Sequence, residues 1–518
     1  MSISGVGVQS VAERGDLDEA REAYRSGALE QCLAACDLIE CGTEKARVKL
    51  ALLRARVHVR MDRGDRALDA LRALTAAHLE PAEELAVSML TGAAYVRLGQ
   101  SERGAEILSA VLKRAGPADA NLRAEIAVHL GIARVRLGSL DEAEALLSAI
   151  GPEHDVIYAH ALEYLGWIGQ MRSDFPAAAD HFRSALAVIS GSRTYDRYIE
   201  AKSLYGLTAL CPELFATEEW PLIERRVRRF DWSLEGLGPW PFWVNIAASM
   251  MCETVGDVAN ALRWAHAARS RGGDAYSVVA LCRLAATLRG VNEVHGHLDA
   301  LSQASELYEC VNLRNLPADL QNVSLYLAEE VIHTGAADTA EALLAQHRDI
   351  MTPRLSSPGT DFGIFSAMER SIEGLISLTR GEKSGLMILD ACFEIFARLG
   401  YRRRATAIAL RLARATNGSR YGEYAAAALA GVSPQFWMKR HLDELRTDPG
   451  PLLTPAETHI LQLLVKGLTY KEIAAERGVT WKTISIQVQQ ALFRKFSVRS
   501  RGELVAEALR RRIAAPPA

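Results

Sequence analysis

The sequence predicts an all-α protein: a superhelix of helical hairpins followed by a small C-terminal bundle of four helices. Three observations carry this prediction. From about residue 15 to 440, alanine, leucine, arginine and glutamate recur in a 3.6-residue rhythm, and alternating β-branched runs are almost absent. A short motif recurs along that region, a glycine followed five positions later by a small residue. Beyond Leu453, three helix-start signals follow one another within about sixty residues. A chain of 518 residues, 49% hydrophobic and 24% charged, has room for several domains or one long array.

Residues 1–14 are expected as a flexible N-terminus and 15–210 as the first set of hairpins. The motif pairs are Gly27/Cys32, Gly99/Gly104, Gly138/Ala143, Gly256/Ala261, Gly335/Ala340 and Gly400/Ala405. Glycine takes the left-handed conformation that ends a helix. The small residue then lets the returning helix pack closely. Hairpins at intervals of roughly 35 to 40 residues resemble tetratricopeptide repeats, although the aromatic positions of that motif are mostly missing. A hairpin cannot bury its faces alone, so neighbours must supply the core. The alternative is an irregular all-α domain without a true repeat.

Residues 211–245 read as a connection, because Cys211-Pro212, Trp220-Pro221 and Gly238-Pro239-Trp240-Pro241 break the helical rhythm. This stretch concentrates aromatic and basic residues. Trp220, Arg225, Arg229, Trp232, Trp240 and Trp243 are candidates for a ligand or partner site, since an aromatic wall with guanidinium groups suits a planar or anionic ligand. The alternative is a plug in which the tryptophans fill a gap between repeats. A second repeat segment is expected over 246–440, with a break near Thr352–Gly359. Residues 441–452, ending in Pro449-Gly450-Pro451, read as a linker, and 514–518 as a frayed tail.

Residues 453–513 form the last domain. Thr454-Pro455-Ala456-Glu457 is a capping box with proline at the first helical position, Thr469-Tyr470-Lys471-Glu472 is a second box, and Thr480 is an N-cap. Two short amphipathic helices joined by a glycine-containing turn, then a longer third, fit a helix-turn-helix reader of DNA. Leu453-Thr454, Glu457, Leu463-Leu464, Gly467, Lys471-Glu472-Ile473-Ala474, Thr483 and Val498-Arg499-Ser500-Arg501 stand in the order of a known pattern. The segment resembles the C-terminal DNA-binding domain of the LuxR/FixJ family of transcriptional regulators. Ser485 and Gln487 depart from the lysine and histidine usual there, so the resemblance does not carry over a target sequence.

The third helix is expected from about Trp481 to Phe496, with Ile484, Val488, Ala491, Leu492 and Phe496 facing the core. The opposite face presents Lys482, Ser485, Ile486, Gln489 and Gln490. The resemblance implies that Ser485, Ile486 and Gln489 lie in the major groove. Glutamine bonds adenine bidentately and an aliphatic side chain touches a thymine methyl, which favours A·T steps. The alternative for Gln489 and Gln490 is simple solvation. Thr469, Lys471, Thr480, Lys482 and Arg494 are expected on phosphates, with Thr483 the matching recognition-helix threonine. Arg501 either adds charge or caps the preceding structure. The resemblance further implies a dimer contact through the last helix, with Leu504, Val505, Ala508 and Leu509 on one stripe.

Charge agrees with this division. Leu452–Arg512 holds eleven basic and five acidic residues, leaving +6 on that segment and −9 on the rest of a chain of net charge −3. Opposite signs across a short linker lead to the expectation that the body holds the reader back in the free protein. No Gly-Lys dipeptide and hence no phosphate loop occurs, and no metalloprotease, hydrolase or carboxylate-pair motif stands out. Cys32, Cys36 and Cys41 match no zinc spacing, and His58, His129, His181 and His266 read as surface or satisfied core residues. Neither an enzyme, nor a cofactor, nor a metal is therefore expected. No apolar run of 18 residues occurs, and Glu13, Asp16 and Asp18 stand where a signal peptide would be apolar, so a cytoplasmic protein off the membrane is expected. The reading is a sequence-specific DNA-binding transcription regulator. Its array acts as sensor, partner-binding or oligomerisation region. The expected partners are double-stranded DNA, a second copy of the chain, and a protein, peptide or small-molecule effector on the array, with RNA polymerase a further candidate. The alternative is an interaction scaffold tethered to DNA by its C-terminal module.

Overall fold

A computed structural model describes residues 17–510, apart from 75–76, 117–118, 193–195, 234–236, 271–272, 314–315, 317–319, 352–363, 417–418 and 448–452. Its regular structure is helical, with no strand among the described residues. The chain divides into two compact units, Met1–Leu210 with Arg225–Pro241, and Cys211–Glu224 with Phe242–Ala518.

The first unit begins with α1 (17–25), α2 (Leu29–Leu38), α3 (Glu44–Arg60), α4 (Gly64–Arg72), α5 (Pro81–Arg97) and α6 (Ser101–Arg114). It continues with α7 (Ala120–Arg136), α8 (Leu140–Ser148), α9 (Val156–Met171) and α10 (Phe175–Gly191). The units exchange within α11 (Arg197–Leu214) and α12 (Trp220–Arg229). The second unit contains α13 (Trp240–Thr254), α14 (Val258–Arg269), α15 (Asp274–Gly290), α16 (Val294–Cys310), α17 (Val323–Ile332) and α18 (Ala337–Met351). It then runs through α19 (Ile364–Thr379), α20 (Ser384–Arg398), α21 (Arg402–Thr416), α22 (Ser419–Ala428) and α23 (Trp437–Thr447) to the C-terminal bundle.

The six motif glycines all sit at left-handed φ, between +75° and +86°. Their partners Cys32, Ala143, Ala261, Ala340 and Ala405 are completely buried. Gly104 shows why the small residue matters: a Cβ there would lie 2.5 Å from Val96 Cγ2 and 2.8 Å from the Gly92 carbonyl of α5. Three further hairpins obey the same geometry without glycine. Asp62, Ser173 and Asn292 take φ of +58°, +62° and +64°, and Ala67, Ala178 and His297 follow five residues later, all buried. Short polar side chains tolerate this conformation because they bond locally. With these turns included, residues 27, 62, 99, 138 and 173 punctuate the first unit at steps of 35, 37, 39 and 35. The repeat is therefore regular there. Val59, Ala94, Leu108, Ala133, Leu147 and Leu165 of successive hairpins share one core, so each hairpin is completed by its neighbours.

The described part of 211–245 is more helical than its prolines suggest. Pro212 lies inside the last turn of α11, which continues to Leu214. Pro221 and Pro241 are second residues of α12 and α13, where a missing N–H leaves no intrahelical bond unmade. The stretch is thus the end of one helix, the whole of a second and the start of a third. Likewise α23 extends to Thr447, so only the end of the expected linker is non-helical or outside the described residues. The expected break at 352–359, the N-terminal segment 1–14 and the tail 514–518 lie outside the described residues.

In the second unit Glu253 of α13 accepts from Arg283 of α15 and Arg403 of α21, each at 2.5 Å, and all three side chains are at most 10% exposed. Arg403 also donates to Thr254 Oγ1 at 2.7 Å. Burial alone would raise the Glu253 pKa, but the two guanidinium groups outweigh it and hold the carboxyl below its usual value.

Candidate nucleic-acid interface

The C-terminal bundle comprises α24 (Pro455–Val465), α25 (Tyr470–Glu476), α26 (Trp481–Ile486) continued by a π-helical turn (Gln487–Leu492) and α27 (Phe493–Phe496), and α28 (Arg501–Arg510). Its start signals are formed as bonds. Glu457 N–H donates to Thr454 Oγ1 at 3.2 Å, and Thr454 N–H donates to Glu457 Oε2 at 2.6 Å. The second box closes in the same way, with Thr469 N–H to Glu472 Oε2 at 2.7 Å. Thr480 Oγ1 accepts from Thr483 N–H at 3.2 Å. Gly467 at φ +89° ends α24 and starts the turn into α25. The Arg501 guanidinium donates to the carbonyls of Gly467 and Leu468 at 3.0 and 2.8 Å, so this arginine caps that turn.

The bundle has its own apolar core, including Leu464, Ile473, Ile484, Val488, Leu492, Phe496 and Leu504. Ile484, Val488, Leu492 and Phe496 follow at intervals of four, and all are buried. On a straight α-helix each interval of four drifts by about 40° around the axis. The π turn at 487–492, with its wider i→i+5 bonding, takes up that drift and keeps the four on one face. Ala491, expected in the core, is instead half-buried. A purely α-helical third helix is corrected on this point.

The other side of the helix is open. Lys482, Thr483, Ile486, Gln489, Gln490 and Arg494 are exposed and Ser485 is half-buried. Thr469, Lys471 and Thr480 are exposed at the starts of α25 and α26. The hydroxyls of Thr469 and Thr480 already serve as caps. Val479, Trp481 and Ile486 are 42%, 49% and 53% exposed, an apolar content unusual for a solvated surface. Trp481 and Val479 were not among the expected contacts, although their place beside the Thr480 cap was a readable signal. Lys495 is not available to a phosphate as a free charge: its ammonium donates to Glu457 Oε2 at 2.6 Å. In α28, Leu504 and Ala508 are fully buried in the bundle's own core. Val505 is half-buried and Leu509 is 36% exposed, so only part of the expected dimer stripe remains outward.

The six residues proposed for an aromatic site divide between the two units. Trp220 and Trp243 belong to the second, Arg225, Arg229, Trp232 and Trp240 to the first. Trp220 and Trp232 are buried, and the Trp232 indole donates to the Val227 carbonyl at 2.9 Å. Trp243 packs edge-on against Phe242 at 5.0 Å, and Trp240 lies under the Lys202 ammonium at 4.9 Å. Arg225 and Arg229 are exposed. Trp220 and Trp232 are thus core residues, and the six candidates fall in different units. Cys32 and Cys36 are buried one turn apart on α2, and no metal-holding group of His, Cys, Asp or Glu occurs among the described residues.

Residues 451–508 match the bacterial regulatory proteins of the luxR family. Spore germination protein GerE of Bacillus subtilis (strain 168) is 40% identical over 60 residues, which cover 12% of this chain and 80% of GerE. The chain belongs to the luxR family. The luxR-type domain makes it a DNA-binding transcription regulator. Solved structures similar over most of the chain include a Rap protein complexed with competence and sporulation factor, 14% identical with a TM-score of 0.45, covering 70% of this chain and 99% of that one. Another is the human IFIT1 dimer with m7Gppp-AAAA, 13% identical with a TM-score of 0.39, covering 84% of this chain and 100% of that one. No helix among the described residues of this luxR-family chain is long and apolar enough to cross a membrane.

Proposed function

We propose that this luxR-family chain is a sequence-specific, dimeric transcription regulator whose helical array receives the signal. The observation that carries the reading is the division of the third helix of the bundle. Ile484, Val488, Leu492 and Phe496 are spent on the core, which leaves Lys482, Ile486, Gln489, Gln490 and Arg494 open to a groove. Gln489, Ile486 and Ser485 read bases, the glutamine by bonding adenine and the isoleucine by touching a thymine methyl. Lys471, Lys482 and Arg494 meet phosphates, together with the N-termini of α25 and α26 beside Thr469 and Thr480. Thr483 and Gln490 flank this face. The outward part of α28 around Leu509 supports a second copy, and one bundle alone reads only a half-site. Effector binding to the array, recruitment of RNA polymerase and a cytoplasmic site of action complete the proposal.

Its test compares the full chain with residues 450–518 in DNA affinity, oligomeric mass and transcription from a bound promoter. The full chain should change transcription, and the fragment should bind DNA per monomer at least as tightly because the body no longer holds the reader back. A dimeric full chain that binds far more tightly would show instead that the array activates by dimerising. Were the fragment to give the same transcriptional output as the full chain, the array would have no regulatory role.

A further inference from the structure

The first unit contains a cavity of about 240 Å³ whose wall comes from the first helix of successive hairpins, α1, α3, α5, α7 and α9, and from α11. The lining is cationic: five Lys or Arg side chains against two carboxylates, Glu125 and Asp196. The cations are not equivalent. Arg56 is paired with Glu125, Arg60 with Asp196, and Arg97 with Asp62 at 3.0 Å. Lys202 is 7% exposed and has neither an ion pair nor a hydrogen bond among the described residues. Its ammonium lies over the rings of Tyr164 and Trp240, at 5.9 and 4.9 Å. Aromatic faces stabilise a cation but leave its donors unfilled.

Burial alone would lower the Lys202 pKa, but Tyr164, Glu163 and Asp62 outweigh it and hold the ammonium charged without filling its donors. Burial pushes the Glu163 carboxyl up to about 7, which weakens it as a counter-ion at neutral pH. Burial takes His129 down to about 4, so that ring is neutral and no rival for an anion. Val59, Leu90, Val128 and Ile199 supply an apolar side to the same cavity. An ammonium held charged beside a cavity, with its donors unfilled, is arranged for an acceptor that arrives.

We propose that this cavity binds a small organic anion, its carboxylate or phosphate head on Lys202 and its compact apolar body against Val59, Leu90 and Ile199. That this anion is the effector of the regulator rests on the regulatory reading above; the site itself does not.

The test titrates the full chain with benzoate and phenyl phosphate, which separate a carboxylate head from a phosphate head, and with neutral benzyl alcohol, read by calorimetry. At least one anion should bind saturably and the alcohol should not. Lys202→Met should weaken the anion by about tenfold or more. The free variant should still unfold in one cooperative transition, so that a lost anion is not a lost fold. Ile157→Trp, placed at a half-buried lining position, should block binding while keeping the ammonium. Absence of saturable anion binding, equal binding of benzyl alcohol, or full binding by both variants would overturn the site. DNA affinity measured with and without the anion separates the two levels. Binding without an effect on DNA leaves the site and removes the effector role. A transcriptional effect of the array without anion binding leaves the regulatory reading and removes the site.

Discussion

Lys495, near the end of the third helix of the bundle, donates to the same Glu457 oxygen that closes the capping box of the first helix, and both bonds are 2.6 Å long. One carboxylate thus caps α24 and ties the recognition helix to it. Burial alone would raise the Glu457 pKa, but the bonds from Lys495 and Thr454 outweigh it and hold the carboxyl below its usual 4.5. A depressed carboxylate contributes stability that is full above the unfolded pKa and lost as pH falls through the folded value. Glu457→Ala should destabilise the bundle by about 1–2 kcal/mol at pH 7. Lys495→Met should cost about 0.5–1 kcal/mol, since Lys495 is one-third exposed. Denaturant titrations of residues 450–518 at several pH values check both, and the differences from wild type should vanish in acid below the Glu457 pKa. Differences that persist there would place the effect in packing.

Close approach of α5 and α6 yields a second prediction. Gly104→Ala places a Cβ against Val96 and the Gly92 carbonyl and should cost about 1–3 kcal/mol. Gly99→Ala meets nothing within 4 Å but sits at φ +80°, so about 1 kcal/mol is expected from backbone strain alone. Thermal unfolding of the two variants should rank them in that order. The reverse order would mean that turn geometry, and not helix contact, limits the hairpin.

Much of the fold was legible because its constraints are local. Gly138/Ala143 announces a turn and a packing contact within six residues, and Thr454–Glu457 announces a helix start within four. The turns at Asp62, Ser173 and Asn292 were not legible, because polar residues in the left-handed region look in sequence like any surface position. Pro212, Pro221 and Pro241 misled for a related reason: proline is compatible with helix ends as well as breaks, and only the neighbouring helices decide. The exposed face of the third helix followed from periodicity, yet the π turn at Gln487–Leu492 did not, since it answers to the packing of Ile484, Val488, Leu492 and Phe496 against two other helices. The cavity around Lys202 was invisible because its wall is assembled from helices up to about 180 residues apart in sequence.

The buried group Glu253–Arg283–Arg403 gives a third prediction. Arg403→Met removes one of two cations from a carboxylate that is almost fully buried, and should destabilise the second unit by about 3–5 kcal/mol. The double change Arg403→Met with Glu253→Gln should cost less than the sum of the single changes. A double-mutant cycle in urea checks the coupling, and strict additivity would show that the three side chains do not act as a unit.

Nucleotide dependence is a fourth. The chain has no Gly-x-x-x-x-Gly-Lys-Ser/Thr motif to cradle phosphates. ATP should leave thermal stability and DNA affinity unchanged, and saturable ATP binding in calorimetry would reveal a site outside this account.

The central claim is that the open face of the recognition helix reads sequence, and the most direct test is the affinity of wild type, Lys482→Ala and Gln489→Ala for a selected site and a scrambled duplex at two salt concentrations. Wild type should prefer the selected site by about 10³-fold or more. Gln489→Ala should lose about 1–3 kcal/mol on the selected site only. Lys482→Ala should weaken both duplexes alike and reduce the salt slope by about one. Equal losses on both duplexes for Gln489→Ala, or no preference in the wild type, would contradict the assignment of this face to base reading.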